Sequence, residues 1–425
     1  MKEGMKKYYG TTFLIGLGFF TMGLMDPLYD TYIPIFLSRF VESKGLIGSI
    51  MTLDNIFALF LIPIVAAMSD KTHTKIGRRM PYIIVTLPLS GIIFGLIPFS
   101  ALWGLTSLII AIFLLNIFKQ AGRGPVVALM PDTIPGEYRS EANGVINTMA
   151  GIAAIVGTII LARLMDIKIN LPGRGPTDEI LAFPVAGVLV ILATIILFLF
   201  IKEKHRAENN EEKVKIGESI KLIFSSEDKS AFLILISLFL WFLGYQGVLP
   251  FIGLYSKEVI GVSSGTAGLA AGMVAISYAL FAILSGVIAH KIGRKKTIRI
   301  SLFMLTIVTL LLAAHPGVSK MLQISQTPML LSFFLLLFIF GTFWVSVVTN
   351  SFPMLWQMAT YKNMGIYTGL YYTFSQAAAI GAPPVTGFII DIFGFYGIFL
   401  FASICMFSAF LVMGKVTKGE SENKI

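Results

Sequence analysis

Five ionisable residues, Asp26, Asp30, Asp54, Lys119 and Arg123, fall inside stretches otherwise apolar enough to cross a bilayer. A charge at that depth is costly, so such residues face a cavity and pair with one another. Asp26 and Asp30 are four apart, as are Lys119 and Arg123. That spacing puts both members on one helix face, one turn from each other. Counted from the segment ends, Asp26 and Lys119 lie at similar mid-depth, Asp30 nearer the outside and Arg123 nearer the cytoplasm. The chemistry open to them is to hold a polar solute, to carry a proton, or only to neutralise each other. Asp26 or Asp30 is expected within reach of Lys119 or Arg123. Asp54 has no basic residue nearby in its own segment, Lys44 being ten positions back. It is therefore the expected proton site, with Asp26 holding solute or locking the cavity. Asp30 could instead be a solvated carboxylate at the outer interface.

The second half has no comparable acid within its apolar segments. Its polar and aromatic candidates are Trp241, Tyr245 and Gln246, then Trp344, Thr349 and Asn350, then Tyr367, Tyr371, Tyr372 and Gln376. Aromatic faces stack on the C–H faces of a ring bearing several hydroxyls, while amides and hydroxyls find its oxygens. A lipid headgroup or an apolar drug suits them nearly as well, and core packing or an interfacial belt is the ordinary alternative. Enzyme chemistry is not indicated. There is no HExxH, GxSxG or Walker pattern, and His73, His205, His290 and His315 are scattered. A lone cysteine, Cys405, excludes an internal disulfide and argues against a cysteine-held metal. No metal and no cofactor are expected.

The elements that must position these groups are membrane helices. Of 425 residues 56% are hydrophobic and 13% charged, and the mean hydropathy is +0.83, which excludes an ordinary soluble domain. Apolar runs of spanning length are expected at 8–38, 44–68, 82–100, 104–130, 142–165, 180–201, 230–256, 264–289, 299–315, 328–351, 364–391 and 393–414. They make an all-α membrane protein with twelve transmembrane helices in two six-helix, pseudo-symmetric bundles, 1–201 and 230–425. Between them lies Lys202–Lys229, the longest polar run, whose alternating signs suit a solvated helix or tether. The net charge of +10 reads as orientation and not as a nucleic-acid partner, because Lys and Arg gather in alternate loops. Both termini are thereby expected in the cytoplasm, with the chain in the cell inner membrane. No cleavable leader is read in MKEGMKKYYG. Asp166 to Glu179 is expected as an irregular outer loop, with Arg163 and Asp166 interfacial.

One loop occurs twice at half-chain spacing. SDKTHTKIGRRMPY at Ser69–Tyr82 is echoed by GVIAHKIGRKK at Gly286–Lys296. Gly77 and Gly293 allow a sharp turn, and the basic pairs hold the loop on the cytoplasmic side. A repeat of this kind marks a duplicated transporter architecture. Asp70, Arg78, Arg79, Asp132, Glu137, Arg139 and Glu141, with Lys291 and Arg294 of the echo, are candidates for a cytoplasmic gate, against the plain alternative of solvated loop charges. Gly122, Gly124 and Pro125, and Pro383 and Pro384, mark places where helices bend or pack closely.

The first of these loops, with two six-helix halves, resembles the major facilitator superfamily. The THTK insertion before Gly77 is similar to the sucrose transporters and the glycoside-pentoside-hexuronide cation symporters. Arg123–Gly157, RGPVVALMPDTIPGEYRSEANGVINTMAGIAAIVG, is similar to a stretch of the sucrose transporters. The resemblance implies a cavity lined by the first and fourth helices. It also implies a secondary active transporter that moves a small polar solute, a sugar or glycoside, by proton-coupled alternating access. Val127 stands where the sucrose family's sugar-binding arginine is implied. Ala58 and Ile62 stand where melibiose-type symporters carry carboxylates, so no sodium site is expected. A drug or lipid exporter on the same fold is the second expectation. The expected partners are the solute, protons and surrounding lipid, and the chain is expected to act as a monomer.

Overall fold

A peptide group inside a bilayer has no water to bond, so an isolated apolar segment must satisfy its own backbone as a helix. The structure, a computed structural model, describes residues 7–135, 138–201, 203, 228–358 and 364–419. Among them are twelve helices long and apolar enough to span a membrane. They are α1 (Tyr9–Ser38), α2 (Lys44–Asp70), α3 (Met80–Trp103), α4 (Leu105–Thr133), α5 (Glu141–Asp166) and α6 (Ala182–Phe200), then α7 (Ser230–Glu258), α8 (Ser264–Ile292), α9 (Arg294–Met321), α10 (Gln326–Trp356), α11 (Ile366–Phe393) and α12 (Tyr396–Gly414). The protein is therefore an all-α, twelve-helix membrane protein. Glu137 and residues 204–227 of the expected linker lie outside the described residues.

The helices pack as two units. Unit 1 is Met1–Glu42, Leu53–Glu208 and Val262–Gly272, and unit 2 is Ser43–Thr52, Asn209–Gly261 and Met273–Ile425. Contiguous halves are the simplest expectation from the sequence, but each unit takes the start of one helix from the other half. In unit 1, α1 packs on α5 and α6, α3 on α4 and α6, and the body of α2 on α4. Phe183, stacked on Phe94 at 4.6 Å, centres an aromatic core with Phe36 and Tyr32. In unit 2, α7 packs on α11 and α12, α9 on α10 and α12, and the first turns of α2 on α11. Residues such as Ile283 and Leu199 remain exposed; on a membrane-spanning helix they face lipid.

Two carboxylates tie down the borrowed helix starts. In unit 2, Asp391 near the end of α11 accepts from Ser43 Oγ at 2.6 Å, from Lys44 N at 2.6 Å and from Gly45 N at 3.0 Å. In unit 1, Asp166 at the end of α5 accepts from Ser263 Oγ and Gly265 N, both at 2.8 Å. The first turn of a helix has amide donors with no partner inside the helix and a partial positive charge, and a carboxylate answers both. Asp166 thus does more than sit at an interface, whereas Arg163 is exposed. Asp391→Ala is expected to cost about 1 kcal/mol, the usual worth of a cap. The readout is a lower thermal-unfolding midpoint of the detergent-purified protein, with Asp391→Asn losing less.

Two sequence expectations shift in detail, and the turn glycines keep theirs. The loop after α5 is not wholly irregular, because Ile169–Leu171 and Gly175–Thr177 form a short antiparallel ladder. Its end is anchored in unit 1 where Glu179 accepts from Arg39 and from the Ser264 hydroxyl. Helix α9 runs Arg294–Met321 where 299–315 is expected. Its basic first turn is helical because long side chains carry their charges toward water while the stems stay on the helix. Gly77 and Gly293 have φ of +113° and +93°, a region open to glycine. At Gly77 a Cβ would also meet Glu203.

Candidate functional site

In unit 1 a charged cluster is assembled from three helices. Asp26, Tyr29 and Asp30 share a face of α1, and Asn116, Lys119, Gln120 and Arg123 share a face of α4 through i, i+3, i+4, i+7 spacing. Asp54 comes from α2. Lys119 Nζ lies 3.0 Å from Asp26 Oδ1 and 2.9 Å from Asp54 Oδ1, with its side chain 2% exposed. It also sits 4.7 Å from the centre of the Tyr29 ring. Arg123 Nη1 is 3.6 Å from Asp26 Oδ2. Gln120 Nε2 donates to Asp54 Oδ1 at 2.5 Å, and Asn116 Nδ2 to the Tyr29 hydroxyl at 3.0 Å.

The expected pairing of α1 with α4 is thus present, carried by Asp26. The expectation that Asp54 stands apart from basic residues is corrected. Its own helix supplies none, but Lys119 reaches it from α4. Of the three acids in the cluster, Asp30 is the one with no ion pair among the described residues. Three carboxylates face two cations, which leaves the cluster one positive charge short. Asn116 Oδ1 and Gln120 Oε1 are buried and accept no hydrogen bond among the described residues, so the same wall also lacks donors. Tyr29, Asn116 and Gln120 are site residues that the sequence reading missed. The spacing of Asn116 and Gln120 from Lys119 and Arg123 was the available signal.

In unit 2 an aromatic and amide cleft of about 370 Å³ is lined by Phe242, Gln246, Phe352, Tyr371, Ser375 and Gln376 among others. Tyr245 lies flat on Trp344 at 4.0 Å, and Phe242 meets the Trp344 ring edge-on at 5.5 Å. The Tyr371 hydroxyl is 3.1 Å from Ser351 Oγ. Gln246, Tyr371 and Gln376 therefore line the cleft as expected, with Tyr245 and Trp344 stacked behind Phe242. Of the residues expected at a cavity, Trp241, Tyr245, Trp344, Thr349, Asn350 and Tyr367 are not in its lining. Trp241 is fully buried in the core, and Asn350 is buried with its amide donating to Ser346 O at 2.8 Å. Helix α7 is apolar all round, so its sequence marks no face as the wet one.

A second charged network lies at the turn between α2 and α3, again within unit 1. Arg78 forks onto Asp132 at 2.7 and 3.2 Å, and Arg79 Nε reaches the same carboxylate at 2.9 Å. Arg79 also donates to Asp70, to Ser69 Oγ at 2.5 Å and to Ala66 O at 3.0 Å. Burial works against the Arg78 charge, but hydrogen bonding and attraction from Asp132, aided by Asp70 and Glu203, hold its guanidinium above the ordinary value. Glu203 accepts from the backbone N of Arg79 at 2.9 Å and of Met80 at 3.3 Å, satisfying the first turn of α3. It stands where the sequence reads a solvated linker. Arg139 does not join the network. It caps the end of α4 by donating to Pro131 O at 2.8 Å and Ile134 O at 3.3 Å. Lys291 is exposed, and both it and Arg294 belong to unit 2. Asp132→Ala is expected to cost about 2 kcal/mol, since charge-assisted bonds to both arginines are lost. Asp70→Asn is expected to cost less, its side chain being 53% exposed. Thermal unfolding of the two variants checks the order.

Residues 13–378 and 234–425 match the model of the Major Facilitator Superfamily. The chain belongs to the major facilitator superfamily. Members of that superfamily are transporters and not enzymes, and this chain is a multi-pass membrane transporter. The tetracycline resistance protein, class H, of Pasteurella multocida is 24% identical over 310 residues, 69% of each chain. Among solved structures, the fold is similar to an inward-facing, occupied bacterial homologue of the human lysosomal transporter Spinster. The TM-score there is 0.70 at 13% identity, with 96% of this chain and 95% of that one covered. A nucleoside transporter gives 0.71 at 11%, covering 96% and 100%. A D-xylose-proton symporter gives 0.68 at 14%, covering 97% and 98%. At such identities the likeness is one of fold. Among the described residues no group of His, Cys, Asp and Glu is placed to hold a metal ion.

Proposed function

We propose that this superfamily member is a proton-coupled importer of a small polar solute, a sugar or glycoside, working by alternating access in the cell inner membrane with both termini cytoplasmic. The observation that carries the reading is the charge imbalance around Lys119. Asp26 and Asp54 have their cation, and Asp30 has none among the described residues. A buried carboxylate without a counter-ion is costly, so the cluster has room for one more positive charge, and a proton is the smallest. The unpaired acceptors Asn116 Oδ1 and Gln120 Oε1 favour a solute rich in hydroxyl donors. The rings of Tyr371 and Tyr372 and the amides of Gln246 and Gln376, which line the cleft, suit a sugar ring and its oxygens. The loop resemblance to sucrose and glycoside symporters points the same way. Asp70, Arg78, Arg79 and Asp132 act in this reading as a cytoplasmic gate that breaks and re-forms as the cavity opens inward.

The test is uptake of a labelled sugar and glycoside panel into proteoliposomes, with and without an inward proton gradient. At least one member should accumulate only with the gradient. For that solute Tyr372→Ala, which removes an exposed ring of the cleft, is expected to raise KM by about tenfold, as loss of an aromatic platform does. A KM equal to wild type would remove this ring from the solute site. The similarity to a tetracycline resistance protein favours a second reading, a drug exporter. Gradient-driven loading of tetracycline into everted vesicles, with no uptake from the sugar panel, would select it.

A further inference from the structure

The first turns of α9 hold a cationic cleft that transport chemistry does not use. About 440 Å³ in volume, it is lined by Lys295, Lys296, Arg299, Ile300, Phe303 and Phe410, all within unit 2. Lys296, Arg299, Ile300 and Phe303 follow i, i+3, i+4, i+7 and so form one face of the helix, charged in the first turns and apolar below. Arg299 lies 4.8 Å over the Phe410 ring, and Phe303 meets Phe410 at 5.6 Å. Ile300 and Phe303 remain 45% and 46% exposed. Lys295 bends to donate to Val416 O. Arg299 Nε is buried and makes no hydrogen bond among the described residues.

What calls for a ligand is that Lys296 and Arg299 lack, among the described residues, the carboxylates that answer the basic pair of the other loop. Arg78 and Arg79, after Gly77, are met by Asp70, Asp132 and Glu203. After Gly293 the chain places Arg294, Lys295, Lys296 and Arg299, and no Asp or Glu occurs in the sequence between Glu258 and Asp391. Among the described residues no carboxylate pairs with Lys296 or Arg299. Arg294 and Lys295 have partners within the chain, whereas Lys296 and Arg299 are left to an outside anion. An anion at the end of a membrane helix, with an apolar strip running into the hydrocarbon beside it, has the build of a phospholipid.

We propose that this cleft is a binding site for an anionic diacyl phospholipid, its phosphate held by Lys296 and Arg299 and an acyl chain laid along Ile300 and Phe303. The site depends on the chain's residence in a membrane and not on which solute it carries. Native mass spectrometry of the full chain in detergent, titrated with phosphatidylglycerol or phosphatidylcholine of equal chain length, tests it. Wild type is expected to carry phosphatidylglycerol at least about tenfold more readily than phosphatidylcholine, the scale set by two basic contacts. Lys296→Gln/Arg299→Gln should abolish that preference, while Arg299→Lys and Lys320→Gln, the latter at the far end of α9, should keep it. Millimolar inorganic phosphate should not displace the lipid. Equal adducts of the two lipids, a preference unchanged in the double variant, or displacement by inorganic phosphate would each overturn the proposal. So would lipid binding seen only after removal of residues 420–425, which would make the chain's own acidic tail the occupant. Uptake assays on the same samples report separately on the transport reading.

Discussion

Replacing Lys119 with Ala is expected to abolish uptake and to destabilise the protein by about 3–5 kcal/mol, the range for removing one partner of a buried ion pair. The side chain is 2% exposed and its ammonium lies within 3.0 Å of two carboxylates from two other helices. Taking it away leaves Asp26 and Asp54 facing each other with only Arg123, 3.6 Å from Asp26, to share. Helices α1, α2 and α4 lose the charge that joins them at mid-depth. Lys119→Arg is not a conservative rescue, because a planar fork cannot place one compact charge between two acids on different helices. The measurement is thermal unfolding in detergent beside uptake in proteoliposomes. A neutral triple variant, Asp26→Asn/Asp54→Asn/Lys119→Gln, separates the two effects. It should recover much of the stability, since Asp30 and Arg123 are then the charges that remain and they balance, while uptake stays lost. A Lys119→Ala protein that unfolds at the wild-type midpoint would show that the carboxylates are reached by water and that the pairing carries little.

The one-dimensional part of this arrangement is legible in the sequence. Asp26 with Asp30, and Lys119 with Arg123, reveal their helix faces by spacing alone, and the turn glycines Gly77 and Gly293 announce their conformation. The rest is tertiary. Asp54 looked isolated because spacing reports only a residue's own helix, and its cation comes from α4, 65 positions on. The Asp391 latch closes on Gly45 over a separation of 346 residues, and the Asp166 latch on Ser263 over 97. No local signal distinguishes such carboxylates from solvated helix ends. Trp241 and Asn350 were misplaced because a polar or aromatic residue in a helix that is apolar all round carries no mark of its azimuth. Glu203 was hidden in a run whose composition reads as solvent-facing, although its carboxylate closes the first turn of α3.

Asp30→Asn is expected to remove gradient-driven accumulation, a loss of at least about a hundredfold if coupling fails outright, while counterflow exchange of solute stays within about twofold of wild type. A coupling residue must exist with and without its proton during one cycle. Protonating Asp26 or Asp54 would strip Lys119 of a partner it holds at 3.0 or 2.9 Å, so the cost of neutralising them is borne by the ion pairs. Asp30 is one turn from Asp26 on the same face and makes no ion pair among the described residues, so a proton there breaks nothing. It also relieves the repulsion of three acids against two cations. The Asn variant fixes this site in its neutral form, which permits solute exchange but cannot return a proton. Asp54→Asn behaves differently. It deprives Lys119 of one of its two carboxylates, so accumulation and counterflow should fall together. Parallel assays of the two variants at several external pH values decide the matter. Retained pH-dependent accumulation in Asp30→Asn would pass the proton to another group. Loss of counterflow in that variant would make Asp30 part of the solute site instead.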